Sequence, residues 1–162
     1  MGVADPKEGC CASIPVEPGL EDDKGSSVLP AGFEVRFVPL DASWVGEVEA
    51  LEARVMGSDA WNAAQIIDDL PRSDRTWWAA FLTSDAAKRT VEHGSDTLIG
   101  YAGGWIVDGG VQILKVATDP RYRRLGIARS LIEQIALDAR DLGAHEMSLE
   151  VRITNTGAHR FY

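Results

Sequence analysis

The stretch DPRYRRLGIARSLIEQIAL, residues 119–137, decides the fold of this chain. Its Asp-Pro pair interrupts the apolar run before it, because the residue preceding a proline is pushed out of helical geometry. From Leu125 onward the apolar residues recur at spacings of three and four, which is typical of one face of an amphipathic helix. The stretch therefore predicts the end of a strand, a tight loop over 121–126 and then a helix of about four or five turns.

The predicted start of this helix is strongly basic. Four arginines lie there: Arg121, Arg123, Arg124 and Arg129. No acidic residue occurs between Asp119 and Glu133, although the positive end of a helix dipole normally attracts acidic side chains. A bound anion would relieve this arrangement, and Gly126 would let a phosphate approach the backbone closely. The pattern indicates a phosphate-binding loop, and the alternative is a basic surface turn with a glycine hinge.

Residues 123–128, RRLGIA, resemble the Arg/Gln-x-x-Gly-x-Gly/Ala pyrophosphate loop of the GNAT superfamily of N-acetyltransferases. The flanking segments strengthen the resemblance, since a predicted strand over 113–118 precedes the loop and the amphipathic helix follows it. Downstream, LEVRITN at 149–155, with its spacing to Phe161 and Tyr162, is similar to the ribosomal-protein-alanine N-acetyltransferase branch. The resemblance covers about residues 33–162.

The composition favours some classes of function over others. The 162 residues, 45% hydrophobic and 25% charged, suit one globular domain with a core. No apolar run reaches the roughly 18–20 residues of a membrane span, so we expect no membrane association. The formal net charge of −9 makes nucleic acid an unfavourable partner and a cationic substrate a better one.

Residues 1–30 form a separate compositional block. They hold four of the seven prolines, no aromatic residue, and six acidic residues against two lysines. We therefore expect a disordered acidic tail over 1–30. The resemblance implies one N-acetyltransferase domain over 31–162. Cys10 and Cys11 are adjacent in this block, which disfavours a disulfide between them and makes a poor zinc site. We expect a reducing, cytoplasmic setting and no metal.

The remaining patterns predict a mixed α/β order, β-α-α-β-β-β-α-β-α. The strands are predicted over 33–40, 77–82, 97–107, 111–118 and 145–152, and the other helices over about 45–56, 61–70 and 156–162. Asp108, Gly109 and Gly110 predict a hairpin turn, while Gly103 and Gly104 inside a strand indicate a bulge or close backbone approach. The order matches that of GNAT proteins. The resemblance implies a mostly antiparallel central sheet, helices on both faces, and a splay between the fourth and fifth predicted strands.

The resemblance also implies a site for acetyl-CoA in that splay. Backbone at Val116, Ala117 and Thr118 would pair with the pantetheine, and Asn155 would reach the cofactor from the other side. The pyrophosphate would lie on the backbone amides of Arg124, Leu125, Gly126, Ile127, Ala128 and Arg129. Lys115 departs from the family pattern, in which many relatives have a small polar residue, and its role is left open.

Glu150 and Tyr162 are the candidate catalytic residues. Alternation along the last predicted strand places Glu150 on a polar face, where a carboxylate could take the proton of an attacking amine. The branch places a tyrosine where Tyr162 stands, to protonate the leaving thiolate, and a strand N–H such as that of Val116 could hold the oxyanion. As alternatives, Glu150 is a solvated strand residue and Tyr162 a packing residue.

The junction of the first two predicted helices is expected, by the same resemblance, to shape the acceptor side of the site. Asp59 and Trp61 are therefore candidates for contact with the substrate. The alternative for Trp61 is a core residue that packs between the helices.

The function implied by the resemblance is acetyl transfer from acetyl-CoA to a peptide α-amine, in particular the N-terminal alanine of a ribosomal protein. The alternatives are a lysine or small-molecule amine as acceptor, or a non-catalytic acyl-CoA-binding module. Relatives continue beyond the position of Tyr162 with a turn and two strands, so we expect an incomplete sheet whose open edge favours a homodimer. The loop lacks the patterns of P-loop and Rossmann nucleotide sites, which disfavours both.

Overall fold

The structure is a computed structural model that describes residues 33–84 and 96–151, together with the backbone of Cys10–Pro15. The strands are β1 (Cys10–Pro15), β2 (Phe33–Pro39), β3 (Arg75–Ser84), β4 (Thr97–Val107), β5 (Gly110–Thr118) and β6 (Glu146–Val151). The α-helices are α1 (Val45–Met56), α2 (Ala63–Asp69) and α3 (Ile127–Asp141). The helix predicted over 156–162 lies outside the described residues.

One sheet contains all of these strands, in the spatial order β1-β6-β5-β4-β3-β2. Every neighbouring pair is antiparallel except β5 and β6, which are parallel. The helix α3 packs on one face and α1 with α2 on the other, so the predicted mixed, mostly antiparallel sheet is confirmed. No helix among the described residues combines the length and the apolar character needed to cross a membrane.

Each face of the sheet has its own core. On the α3 side, the buried helix residues are Ile127, Leu131, Ile135 and Ala139, and they pack with strand residues that include Ile99, Val111, Met147 and Leu149. On the other side, Val48, Leu51 and Ile66 pack with Trp77, Phe81 and Tyr101. The buried α3 residues recur at the short helical interval predicted from the sequence, because a helix returns to the same face every three to four residues.

Local sequence explains where several elements begin and turn. Asn62 accepts a hydrogen bond from the backbone N–H of Gln65, whose side chain in turn accepts from the Asn62 N–H, and this capping box starts α2 at Ala63. The helix is therefore shorter than the predicted 61–70. Asp108 and Gly109 both have positive φ, 51° and 75°, as a tight hairpin turn between antiparallel strands requires. The predicted hairpin is confirmed.

A β-bulge lies between β4 and β5. Gly103 pairs with Lys115 whereas the next residue, Gly104, pairs with Ile113, so Leu114 is the extra residue. A bulge bends its strand and increases the local twist. The irregularity predicted from the glycines of this strand is thus confirmed, and it falls where β5 begins to diverge from its other neighbour.

The strands β5 and β6 separate after four pairs. Their register runs from Gly110 opposite Glu146 to Ile113 opposite Leu149. Beyond this point β5 continues to Thr118, and residues 114–118 have no registered partner in β6. The two strands therefore open into the predicted V, with its branch point next to the bulge.

The strand β1 differs from the expectation of a disordered tail over 1–30. Cys10–Pro15 pairs antiparallel with β6, from Cys10 opposite Val151 to Pro15 opposite Glu146. The prediction relied on a composition averaged over thirty residues, which does not reveal the uncharged segment CCASIP. The edge of a sheet offers unpaired N–H and C=O groups with which such a segment can pair. The edge of β6 that was expected to be open is consequently paired with β1.

Candidate active site

The predicted pantetheine-binding residues lie on the arm of β5 that has left β6. Val116, Ala117 and Thr118 pair on their other side with Ala102, Tyr101 and Gly100 of β4. Ala117 is buried, and the buried hydroxyl of Thr118 has no hydrogen-bond partner within the described part of the chain. Among the described residues this arm has a strand partner only on its β4 side, and its other side can accept an extended ligand in the manner of an added strand.

The arginine-rich loop turns the end of β5 into α3. Arg124 and Gly126 both adopt left-handed backbone geometry, with φ of 63° and 76°. Gly126 is the N-cap of α3 and makes no side-chain capping bond, and the first turn holds no acidic residue. An added Cβ on Gly126 would meet nothing within 4 Å. The first N–H groups of a helix have no hydrogen-bond acceptor within that helix. In α3 these groups follow directly after Gly126, where the open space can accommodate a phosphate.

Asp119 anchors this loop to the body of the protein. Its carboxylate accepts hydrogen bonds from the backbone N–H of Arg121 at 3.0 Å and from that guanidinium at 3.1 and 2.9 Å. Arg54, on α1, donates a fourth at 3.3 Å. The hydrogen bonds from Arg121, with a smaller effect of the Arg54 charge, hold the pKa of Asp119 below its usual range. The sequence pattern indicates only that a strand ends at Asp119, and the anchoring role of its carboxylate is visible only in the structure.

The positive charge of the loop is partly compensated by the two acidic residues that bound it. Arg121 pairs with Asp119, and Arg129 pairs with Glu133 at 3.1 Å one helical turn away. Both pairs involve exposed guanidinium groups, which water screens. The loop also contains Arg123 and Arg124.

Glu150 lies on β6 just past the branch point of the V. Leu149 is the last β6 residue paired with β5, and both Met147 and Leu149 are buried in the α3-side core. Since successive strand residues alternate between faces, Glu150 is on the opposite face, the one that α1 covers, and it is exposed. The predicted polar face of this strand is confirmed. Asn155 and Tyr162 lie outside the described residues.

Lys115, whose role the sequence left open, joins β5 to the α1–α2 connection. Its ammonium donates to the backbone carbonyl of Asp59 at 2.7 Å and pairs with Glu52 at 3.4 Å. It also lies 5.2 Å from the centroid of the Trp61 ring. Trp61 is half-buried and packs at 5.9 Å against Trp77, so it contacts both the core and this charged group.

Glu52 is the member of this cluster that sequence reasoning missed. Its side chain is only 1% exposed, and it also accepts a hydrogen bond from the Trp61 backbone N–H at 3.2 Å. Burial, together with the nearby Glu52 carboxylate, raises the pKa of the Tyr101 hydroxyl. The sequence does contain a signal for this pair: a glutamate on the apolar face of a predicted helix and a lysine in an otherwise apolar strand. Because buried charges occur in pairs, these two residues could have been predicted to meet.

No group of three or more His, Cys, Asp or Glu side chains in the described ranges could hold a metal ion. The described part of the candidate site consists of the β5 arm that has left β6, a basic loop at the start of α3, and the exposed carboxylate of Glu150.

Comparison with known proteins identifies the family. The model of the acetyltransferase (GNAT) family matches residues 52–162. A Bacillus subtilis protein provisionally named as a ribosomal-protein-bS18-alanine N-acetyltransferase is 35% identical over 65 residues, which cover 40% of this chain and 43% of that protein. The matched segment thus spans less than half of the relative's length.

Two crystal structures share the fold at low sequence identity. The ribosomal-protein-S18-alanine N-acetyltransferase from Escherichia coli superposes with a TM-score of 0.62 at 19% identity, over 80% of this chain and 74% of that one. An aminoglycoside antibiotic 6′-N-acetyltransferase from Acinetobacter baumannii superposes with a TM-score of 0.64 at 18% identity, over 79% and 86% of the two chains. With the family model matching more than half of its residues, the chain belongs to the GNAT family of acetyltransferases.

Proposed function

We propose that this protein transfers the acetyl group of acetyl-CoA to a peptide α-amine, with the N-terminal alanine of a ribosomal protein as acceptor, in the cytoplasm. The observation that carries the proposal is the separation of β5 from β6 beyond Ile113 and Leu149. One arm of this V ends at the basic loop and the other carries Glu150. A thioester and an amine could thus meet between a phosphate-binding element and a carboxylate.

Acetyl-CoA would be held mainly by backbone. Val116, Ala117 and Thr118 would pair with its pantetheine, and the amides from Arg124 to Arg129 would hold its pyrophosphate. The open space at Gly126 supports this assignment, as does the first turn of α3, which has no acidic residue. A contact from Asn155 remains a prediction from the family resemblance.

Transfer forms one C–N bond and breaks one C–S bond. The neutral amine attacks the thioester carbonyl carbon, and an N–H of β5, such as that of Val116, would stabilise the oxyanion. An α-amine with a pKa near 7.7–8.0 is about one tenth neutral at pH 7, so a positioned base accelerates attack. We assign that proton transfer to Glu150. The thiolate of CoA would then leave with a proton from Tyr162, a role that remains a prediction.

The acceptor class is supported by the local similarity to the Bacillus subtilis relative, which is 35% identical over 65 residues. A lysine or small-molecule amine is the alternative acceptor, because the same fold occurs in an aminoglycoside acetyltransferase. The non-enzymatic alternative is a module that binds acyl-CoA without catalysing a reaction.

A peptide that begins with alanine and contains one internal lysine separates these functions. The protein is incubated with this peptide and acetyl-CoA, released CoA thiol is titrated, and the acetylated nitrogen is located by fragment-ion mass spectrometry. We expect acetyl on the α-amine, and the same peptide with a blocked N-terminus should not react. Acetyl on the lysine would replace the proposed acceptor. Calorimetric binding of acetyl-CoA without transfer to either amine would indicate a binding module.

A further inference from the structure

The ammonium group of Lys115 lies among three groups that together suit an alkylammonium ion. They are the carboxylate of Glu52, the backbone carbonyl of Asp59 and the face of the Trp61 ring, at 3.4, 2.7 and 5.2 Å. A carboxylate and a carbonyl accept from an ammonium, and the aromatic face attracts its charge. Such a combination is chemically selective for a primary amine in its protonated form.

The three groups lie close together in the sequence, between residues 52 and 61. Glu52 is on α1, Asp59 ends the turn after it, and Trp61 precedes α2. The lysine comes from β5, 63 positions away from its carboxylate partner. The Lys115 side chain is 10% exposed and that of Glu52 is 1% exposed, so the pair is withdrawn from water. The helix α1 and the α1–α2 connection therefore supply all three binding groups, and the tertiary structure brings Lys115 of β5 to them.

The site adjoins the proposed reaction centre. Lys115 immediately precedes Val116, on the arm of β5 that has left β6. Its side chain reaches α1 and thus lies on the α1 face of the sheet, the face to which alternation also assigns Glu150. A substrate that brings its amine to Glu150 from the α1 face would therefore approach on the side of the sheet that carries the cluster around Lys115.

We propose that Lys115 is a specificity-determining residue that permanently occupies an alkylammonium site on the acceptor side. This inference rests on the proposed acetyl transfer and refines its acceptor. A lysine-rich peptide or a polyamine carries a second ammonium near the reacting amine. Lys115 already occupies the groups that would bind this second ammonium, and its positive charge repels the second ammonium. Acceptors with an isolated α-amine are consequently favoured.

Replacing Lys115 by alanine empties the site and leaves Glu52 uncompensated. The first measurement is thermal unfolding of K115A in n-propylammonium chloride and in sodium chloride at the same concentration. We expect propylammonium to raise the Tm of K115A above its value in sodium chloride, because a ligand that binds only the native state stabilises it. Equal Tm values in the two salts would overturn the proposal.

Three controls isolate the site. The wild-type protein, with the site filled, should show the same Tm in both salts. The variant R72A, which loses an exposed ion pair to Asp74, should behave like the wild type. The double variant E52Q/K115A has lost the carboxylate and should not respond to propylammonium. If K115A does not fold unaided, it is refolded in each salt, and recovery of the native circular dichroism only in propylammonium supports the site.

The second measurement tests specificity directly. The ratio of kcat/KM for spermidine to kcat/KM for a peptide with an N-terminal alanine should rise about tenfold or more in K115A, since a buried like charge has been removed. An unchanged ratio would overturn the role in specificity even if propylammonium binds. If the wild-type protein acetylates neither compound, the proposed function fails, and the comparison of the two salts still decides whether the site exists.

Discussion

The ring of Trp77 occupies the space in which a side chain on Gly103 would begin. The two residues are opposite each other on β3 and β4, and a Cβ built on Gly103 would lie 2.5 Å from the indole carbons. Trp77 is held there by a 2.8 Å hydrogen bond from its Nε1 to Asp69 and by stacking on Tyr101 at 6.2 Å. A glycine is therefore required at this position, which adjoins the bulge.

Substituting Gly103 by alanine should destabilise the protein by about 1–3 kcal/mol, because the new methyl group overpacks a core that the ring already fills. Denaturant unfolding followed by circular dichroism measures this change. Gly46 on α1 is the matched control, since a Cβ there meets nothing within 4 Å. The variant G46A should be neutral or up to about 1 kcal/mol more stable. Similar free energies for the two variants would contradict the packing argument.

Gly126 should be needed for binding of acetyl-CoA as well as for the left-handed turn. The variant G126A should lose about 1–2 kcal/mol of stability from its φ of 76°, and its affinity for acetyl-CoA should fall as well. Gly143, at the other end of α3, also has positive φ and open space where a Cβ would lie. The variant G143A should therefore show a similar loss of stability while its affinity, measured by calorimetry, stays unchanged. Equal affinities in the two variants would argue against a phosphate site at this loop.

Replacing Glu150 by glutamine should lower kcat by about a hundredfold, the scale of a positioned proton acceptor, with little change in the Kd for acetyl-CoA. The reason is that an amide keeps the shape of the side chain but cannot take the proton. The matched control is E146Q, four residues earlier on the same face of β6 but at its paired end. Unchanged turnover of E150Q across the pH range would remove Glu150 from the mechanism.

Asp119 should make the protein sensitive to acid. Its native pKa is lowered by Arg121 and Arg54, so the stability it contributes is present above the unfolded-state pKa of about 3.9. That contribution is lost as the pH falls through the lower native pKa. The free energy of unfolding should therefore decline more steeply below about pH 4 in the wild type than in D119N. The exposed Asp68 provides the control D68N, which should follow the wild type, and parallel curves for D119N would refute the assignment.

Removal of residues 1–15 should promote association. This deletion eliminates β1 and leaves unpaired the edge of β6 that β1 now covers, and exposed edges pair with other chains. Removal of residues 1–9 retains β1 and is the control. Light scattering should detect dimers or larger species only for the longer deletion. Identical monomeric profiles for both proteins would show that β1 does not protect this edge.

Much of the fold was predictable because it depends on short-range rules. The apolar spacing of α3, the turn at Asp108 and Gly109, and the irregularity at Gly103 each follow from the backbone geometry that a few neighbouring residues allow. The V itself followed only from resemblance, since no local pattern specifies where β5 and β6 separate. The strand β1 was missed because its pairing depends on an edge formed by residues more than a hundred positions away.

The sequence by itself determined the periodic faces of the helices and strands, the glycine before α3 and the basic character of the loop. These properties arise from side-chain size, charge and φ/ψ preferences within one or two turns of chain. Only the tertiary structure decided that Lys115 meets Glu52 and that Arg54 meets Asp119, across 63 and 65 positions. Such pairings depend on how two faces of a sheet are covered, and a buried charge acquires its partner only when the elements pack.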